Sequence, residues 1–214
     1  MNFETFYEEF SESTHRLGAT ESPLSNGAAF YTFGESPKIG ILSGVHGDEK
    51  SGPLTLLKWV QELKKIKTSF WVCPLLNDQG WDKDTRRWNA LDLNRNFSKR
   101  SRVPLLRECY RFFKKNTPKI FLDLHEDSFT RKNYIYHYIT EDTTFAEYLS
   151  KGKNAGIIWS KPSEWKGCSE NLMQSLGTQY MATIEASPYF KLDNRSKWLD
   201  TVLKRTFKFS ERLD

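Results

Sequence analysis

The stretch GILSGVHGDEKSG, Gly40 to Gly52, decides how the chain is read. Its first half is short and continuously apolar, the pattern of a strand buried within a sheet. Its second half sets His46, Asp48 and Glu49 around Gly47. A turn calls for glycine and accepts aspartate, but it needs no histidine and glutamate three residues apart. Pro53 then suits the first turn of a helix, and Leu54, Leu57, Val60 and Leu63 keep helical period to about Ile66. Strand, polar loop and helix in succession begin an α/β unit.

The same pattern extends in both directions. Ala28–Thr32, Lys38–Leu42, Ser69–Leu76, Lys119–Leu124, Tyr134–Ile139 and Tyr180–Ala186 read as strands. Helical spacing predicts helices within residues 1–17, 105–115, 143–153 and 193–213, the last with Trp198, Leu199, Val202, Leu203 and Phe207 on one side. Ser22 to Gly27 and Asn77 to Gly80 read as turns. Interleaved strands and helices predict an α/β fold: a mixed, largely parallel twisted sheet with helices on both faces. One domain is expected over residues 1–214, a length sufficient for its own core.

Composition narrows the classes. The net charge of +5 permits an anionic partner without requiring one. Its basic residues are scattered in short groups such as Lys64-Lys65, Arg86-Arg87 and Lys114-Lys115, which read as solvated faces, so no nucleic-acid partner is expected. The three cysteines, Cys73, Cys109 and Cys168, are widely spaced and form no CxxC pair. That suggests neither a disulfide framework nor a thiolate zinc site. The acidic start, MNFETFYEEFSES, lacks the apolar segment of a secretory signal, and no run is long enough to span a membrane. The expectation is a soluble protein of the reducing cytoplasm.

Four apolar strands run into polar groups at their carboxyl ends: His46 and Glu49, Asn77, His125, and Glu185. In open α/β sheets ligands bind beside those ends. Catalytic zinc takes three protein ligands, and two histidines with a glutamate are a known set. Taken alone, His46 reads as a polar turn residue and His125 as a hydrogen-bonded core histidine. At matching strand ends they read as a ligand set with Glu49. His15 and His137 keep structural readings, one near a helix end and one within an aromatic strand. ALDLNRNF, Ala90 to Phe97, clusters Asp92, Asn94 and Arg95, and TRRWN lies just upstream. Arginines beside a metal suit an anionic group. In YMATIEASP, Glu185 ends an apolar strand and is placed to act as a general base.

HGDE, DLNRNF, DLHE and TIEAS, in this order between Ile39 and Ser187, resemble the zinc metallocarboxypeptidase family of carboxypeptidase A. The compact chain looks more like its small bacterial branch, which includes murein peptide amidase, and is similar to the succinylglutamate desuccinylase and aspartoacylase enzymes. The resemblance implies one Zn2+ held by His46, Glu49 and His125, with Glu185 activating water. It implies that Asn94 and Arg95 grip a substrate carboxylate and that Asp92 orients His46. Arg87 matches the carbonyl-polarising arginine by spacing, with Arg86 as its rival.

The implied activity is zinc-dependent hydrolysis of the C-terminal amide bond of a peptide, a cell-wall (murein) peptide among the candidates. The alternative is deacylation of an N-acyl amino acid on the same scaffold. A non-enzymatic basic module accounts poorly for the ordered His, Glu and Arg positions. The chain departs from the family in lacking an assignable capping tyrosine, for which Tyr148, Trp159 and Trp165 lie in the relevant region. Glu126-Asp127 also replaces the small residues common in desuccinylases. Glu164 and Glu170 lie where family pockets are often lined, which suits a basic or amino-bearing substrate residue.

Overall fold

A computed structural model of the chain describes residues 1–127, 129, 131–138, 143–151, 156–160 and 166–213. Eight strands form one sheet: β1 (Thr20–Pro23), β2 (Ala29–Phe33), β3 (Ile39–Ser43), β4 (Phe70–Cys73), β5 (Ile120–Glu126), β6 (Tyr134–Tyr138), β7 (Gly156–Ser160) and β8 (Tyr180–Ala186). Their order is β1-β2-β4-β3-β5-β8-β6-β7. The central β4, β3, β5 and β8 are parallel to one another. The β1 and β2 strands join antiparallel on one side, and β6 runs antiparallel to β8 on the other. The sheet is therefore mixed and largely parallel at its centre, as the sequence pattern predicts.

Side-chain alternation along these strands sorts the core into two layers. Ile39, Ile41, Phe70, Val72, Ile120, Leu122, Leu124 and Ile184 face one layer. There they meet α1 (Phe3–Arg16), α2 (Ser51–Glu62), α5 (Thr144–Ser150) and α7 (Leu192–Ser210). Leu42, Trp71, Cys73, Phe121 and Met181 face the other, against α4 (Pro104–Lys115) and α6 (Ser169–Leu176). The α4 helix shows why such a segment folds as it does. Pro104 opens it, and Leu105, Leu106, Cys109 and Phe113 recur on one buried stripe while its last turn is basic.

Several boundaries differ from the sequence reading. The α2 helix stops at Glu62, short of Ile66, and β4 covers only Phe70–Cys73. Asn77 to Gly80 is not a simple turn. Asn77 caps a short helix, α3 (Asp78–Lys83), its side chain accepting from the Gly80 N–H at 2.8 Å. The strands β1 and β7 and the helix α6 were not expected; they are short and carry little periodic signal. Ile139, predicted to end a strand, and residues 152–153, predicted to end a helix, lie outside the described residues. Among the described residues no helix is long and apolar enough to cross a membrane.

Candidate metal centre

The carboxyl ends of β3, β5 and β8 meet at one edge of the sheet, on the α4 and α6 side. After β3 the chain turns sharply through Gly47. A Cβ there would lie 1.9 Å from the Gly80 carbonyl carbon, so only glycine lets this loop lie on α3. Asn77 fastens the arrangement. Its Nδ2 donates to the carbonyls of Val45 and Arg86, each at 3.2 Å.

His46, Glu49 and His125 converge at this edge, all buried, each offering one ligand atom within 4.8 Å of the others. His46 Nδ1 lies 2.7 Å from Glu49 Oε1, and His125 Nδ1 lies 2.8 Å from Glu49 Oε2. The other ring nitrogens are held from outside. His46 Nε2 is 3.0 Å from Asp92 Oδ1, and His125 Nε2 is 3.1 Å from Asp123 Oδ2. Carboxylates behind both imidazoles fix ring orientation and raise ligand basicity, a recurrent support for metal-binding histidines.

Electrostatics agree. Burial alone would raise the Glu49 carboxyl, but His125 and His46 hold it well below the usual carboxylate range. Burial works against the charged form of His46, yet Glu49 and Asp92 together raise its imidazole. Asp92 is lowered to about 2, chiefly by its hydrogen bond with His46. Two imidazoles and a carboxylate facing one point match the donor set of catalytic zinc, so the residues present fit a divalent ion.

The remaining predicted residues largely gather here. A cavity of about 220 Å³ beside the triad is lined by Glu185, Asn94, Arg95 and Arg86 among others. Glu185 pairs in register with His125 across β5 and β8, which puts both side chains on one face. Burial raises its carboxyl to about 8, and its Oε2 has no hydrogen-bond partner among the described residues. Asp92 and Asn94 come from a single 3-10 turn, Leu93–Arg95, which Asp92 caps by accepting from the Asn94 N–H at 2.9 Å.

Arg87 does not join them, and Arg86 does. Arg86 Nη1 reaches Glu49 Oε1 at 3.0 Å, whereas Arg87 Nη1 donates to the Ala90 carbonyl at the surface. The cause is a tight turn in which Trp88 and Leu91 pair and Asn89 and Ala90 take positive φ. The turn draws Arg87 back onto itself and leaves Arg86 facing inward.

Tyr148 packs against Phe209 and lies under the Arg212 guanidinium, and it is not among the residues lining the cavity. The side chain of Trp159, and Trp165 and Glu164 entirely, lie outside the described residues. Three contributors escaped the sequence reading. Tyr136 lines the cavity because it pairs with Thr183, two residues from Glu185. Asp123 supports His125, and the DLHE motif contains it at the right strand parity. Glu126 accepts from the Ser51 N–H at 2.6 Å and pairs with Arg195, joining β5, α2 and α7 around the triad.

The model of the succinylglutamate desuccinylase/aspartoacylase catalytic domain matches residues 35–184, ending one residue before Glu185. No curated protein matches the chain. Among solved structures, a candidate metallopeptidase from Shewanella baltica OS155 superposes with a TM-score of 0.81 at 19% identity, over 97% of this chain and 92% of that one. Bovine thrombin-activatable fibrinolysis inhibitor, in complex with tick carboxypeptidase inhibitor, gives 0.78 at 15% identity, over 100% and 98%. The mDAP-bound form of Helicobacter pylori Csd4, a D,L-carboxypeptidase, gives 0.71 at 14%, over 83% of this chain and 51% of that one. At these identities the likeness is one of fold, and the fold is that of the carboxypeptidases. With the domain model covering well over half its length, the chain belongs to the succinylglutamate desuccinylase/aspartoacylase catalytic-domain family.

Proposed function

We propose that this protein is a metal-dependent hydrolase that cleaves an amide bond next to a residue bearing a free carboxylate, the C-terminal bond of a peptide. His46, Glu49 and His125 would hold the ion, and their donor set points to zinc. When bound, such an ion supplies Lewis acidity, polarising a carbonyl and lowering the pKa of water from 15.7 toward about 7.

The chain's own groups supply the rest. Glu185, with a free carboxylate oxygen at the cavity, takes a proton from the attacking water and returns it to the leaving amine. Arg86, not Arg87, faces the charge that develops on the carbonyl oxygen. Asn94 and Arg95, which also line the cavity, hold the substrate carboxylate and so restrict cleavage to chain ends. The observation that carries this reading is the convergence of a two-histidine, one-glutamate triad with Glu185 and two arginines in one cavity.

The family match favours a second reading, an N-acyl amino acid deacylase. The lining favours peptides. Glu126, Asp127, Glu170 and Glu185 all border the cavity, and they oppose a small substrate carrying two carboxylates. The test is hydrolysis of free-carboxylate peptides, carboxyl-blocked peptides, murein peptides and N-acyl amino acids, each with and without a zinc chelator. Chelator-sensitive release from free-carboxylate peptides alone supports the first reading. Cleavage of N-acyl amino acids alone replaces it with the second, and cleavage of nothing on the panel overturns both.

A further inference from the structure

Successive residues of a strand face opposite ways, so β5 turns His125 toward the triad and Glu126 toward the layer of Leu122 and Leu124, beneath α2 and α7. There the Glu126 side chain is only 7% exposed. Arg195, in the first turn of α7, is its one ion-pair partner among the described residues. A buried carboxylate is costly unless a cation and hydrogen-bond donors compensate it. Glu126 has both. Its Oε2 meets the Arg195 guanidinium, and its Oε1 accepts from the Ser51 N–H at 2.6 Å.

The second contact caps a helix that lacks a cap of its own. Ser51 opens α2, and Lys50 before it gives no side-chain acceptor to the free N–H groups of the first turn. Glu126 supplies that acceptor from another strand. Its backbone N–H meanwhile donates to Glu49 Oε2 at 3.1 Å. One residue of β5 thus grips the segment 49–51 twice, at the Glu49 carboxylate and at the N–H two residues on. Glu49 in turn faces both His46 and His125. We infer that Arg195 is a positioning residue for the metal centre: by fixing Glu126 it fixes Glu49, although it sits on α7 and makes no hydrogen bond or ion pair to the triad among the described residues. The inference rests on the proposed metal-dependent reading. Charge alone predicts the opposite effect, because a guanidinium near the site repels a divalent cation and its removal would tighten binding.

The experiment is zinc affinity, by competition with a chromophoric chelator, for the wild-type protein and for Arg195→Met and Arg205→Met, each below its measured melting temperature. Arg205 is the control. It lies on the same helix and donates to the Leu149 carbonyl, away from Glu126. Both substitutions should lower the melting temperature. Only Arg195→Met should weaken zinc, by about tenfold or more, the order seen when a partner behind a metal ligand is lost. If Arg195→Met fails to fold, Glu126→Gln combined with Arg195→Met decides. That pair buries no unmatched charge, keeps an acceptor for Ser51, and should show the same loss of affinity. Zinc held as tightly as in wild type or more tightly, or an equal loss in Arg205→Met, would overturn the inference and leave the metal site standing. No saturable zinc in the wild-type protein would overturn both.

Discussion

His125 and Glu185 are register partners on the adjacent parallel strands β5 and β8. Parallel pairing at equal strand parity sends both side chains to the same face, so the backbone ladder itself sets the candidate ligand beside the proposed proton acceptor. Because Glu185 is held by the sheet rather than by the triad, Glu185→Gln should retain bound zinc while turnover falls by about 10²–10⁴-fold, the usual weight of general acid–base catalysis. Metal analysis alongside steady-state kinetics checks this. An unimpaired variant would remove Glu185 from the chemistry.

Asp92 serves two purposes, which one substitution separates. It holds His46 Nε2 at 3.0 Å and caps the 3-10 turn carrying Asn94 and Arg95. Asparagine preserves a capping oxygen and removes the charge. Asp92→Asn should therefore weaken zinc about 10–100-fold in a chelator competition, with little change in melting temperature.

The two arginines of TRRWN should behave differently. Arg86→Ala should lower kcat by about a hundredfold or more, as expected when a donor to a developing oxyanion is lost. Arg87→Ala should stay near wild type, since that guanidinium serves an exposed carbonyl. Equal losses in both variants would show that the turn at 88–91 matters and not the inward-facing guanidinium.

Gly47 tests the scaffold. A Cβ at this position would meet the Gly80 and Trp81 backbone at 1.9 and 2.2 Å, and backbone gives way poorly. Gly47→Ala should destabilise the protein by about 1–3 kcal/mol or more in denaturant unfolding. Gly156→Ala, whose Cβ meets nothing nearer than 3.9 Å, should cost far less.

Much of this site was legible in the sequence for a simple reason. A buried strand is an apolar run, and a functional group at its end breaks the run abruptly, as at His46, His125 and Glu185. What was not legible depends on contacts distant in the chain. Which arginine faces inward is set by Asn89 and Ala90 at positive φ, and alanine gives no warning of that conformation. The NDQG stretch has turn composition, yet Asn77 spends its side chain on capping α3 and on the Val45 and Arg86 carbonyls. The pairing of Glu126 with Arg195 spans 69 residues and leaves no local pattern. Tyr136 belongs to the cavity only because β6 lies antiparallel to β8, a choice of neighbour that alternation within either strand does not reveal.

His46, Glu49 and His125 are the candidate metal site on which the proposed chemistry depends. Equilibrium zinc binding, followed by competition with a chromophoric chelator, tests it most directly. One saturable zinc per chain is expected, lost in His46→Ala and in His125→Ala but kept in His15→Ala, whose ring lies away from the triad beside Glu21. Absence of a saturable zinc, or a zinc unaffected by removing either triad histidine, would contradict it.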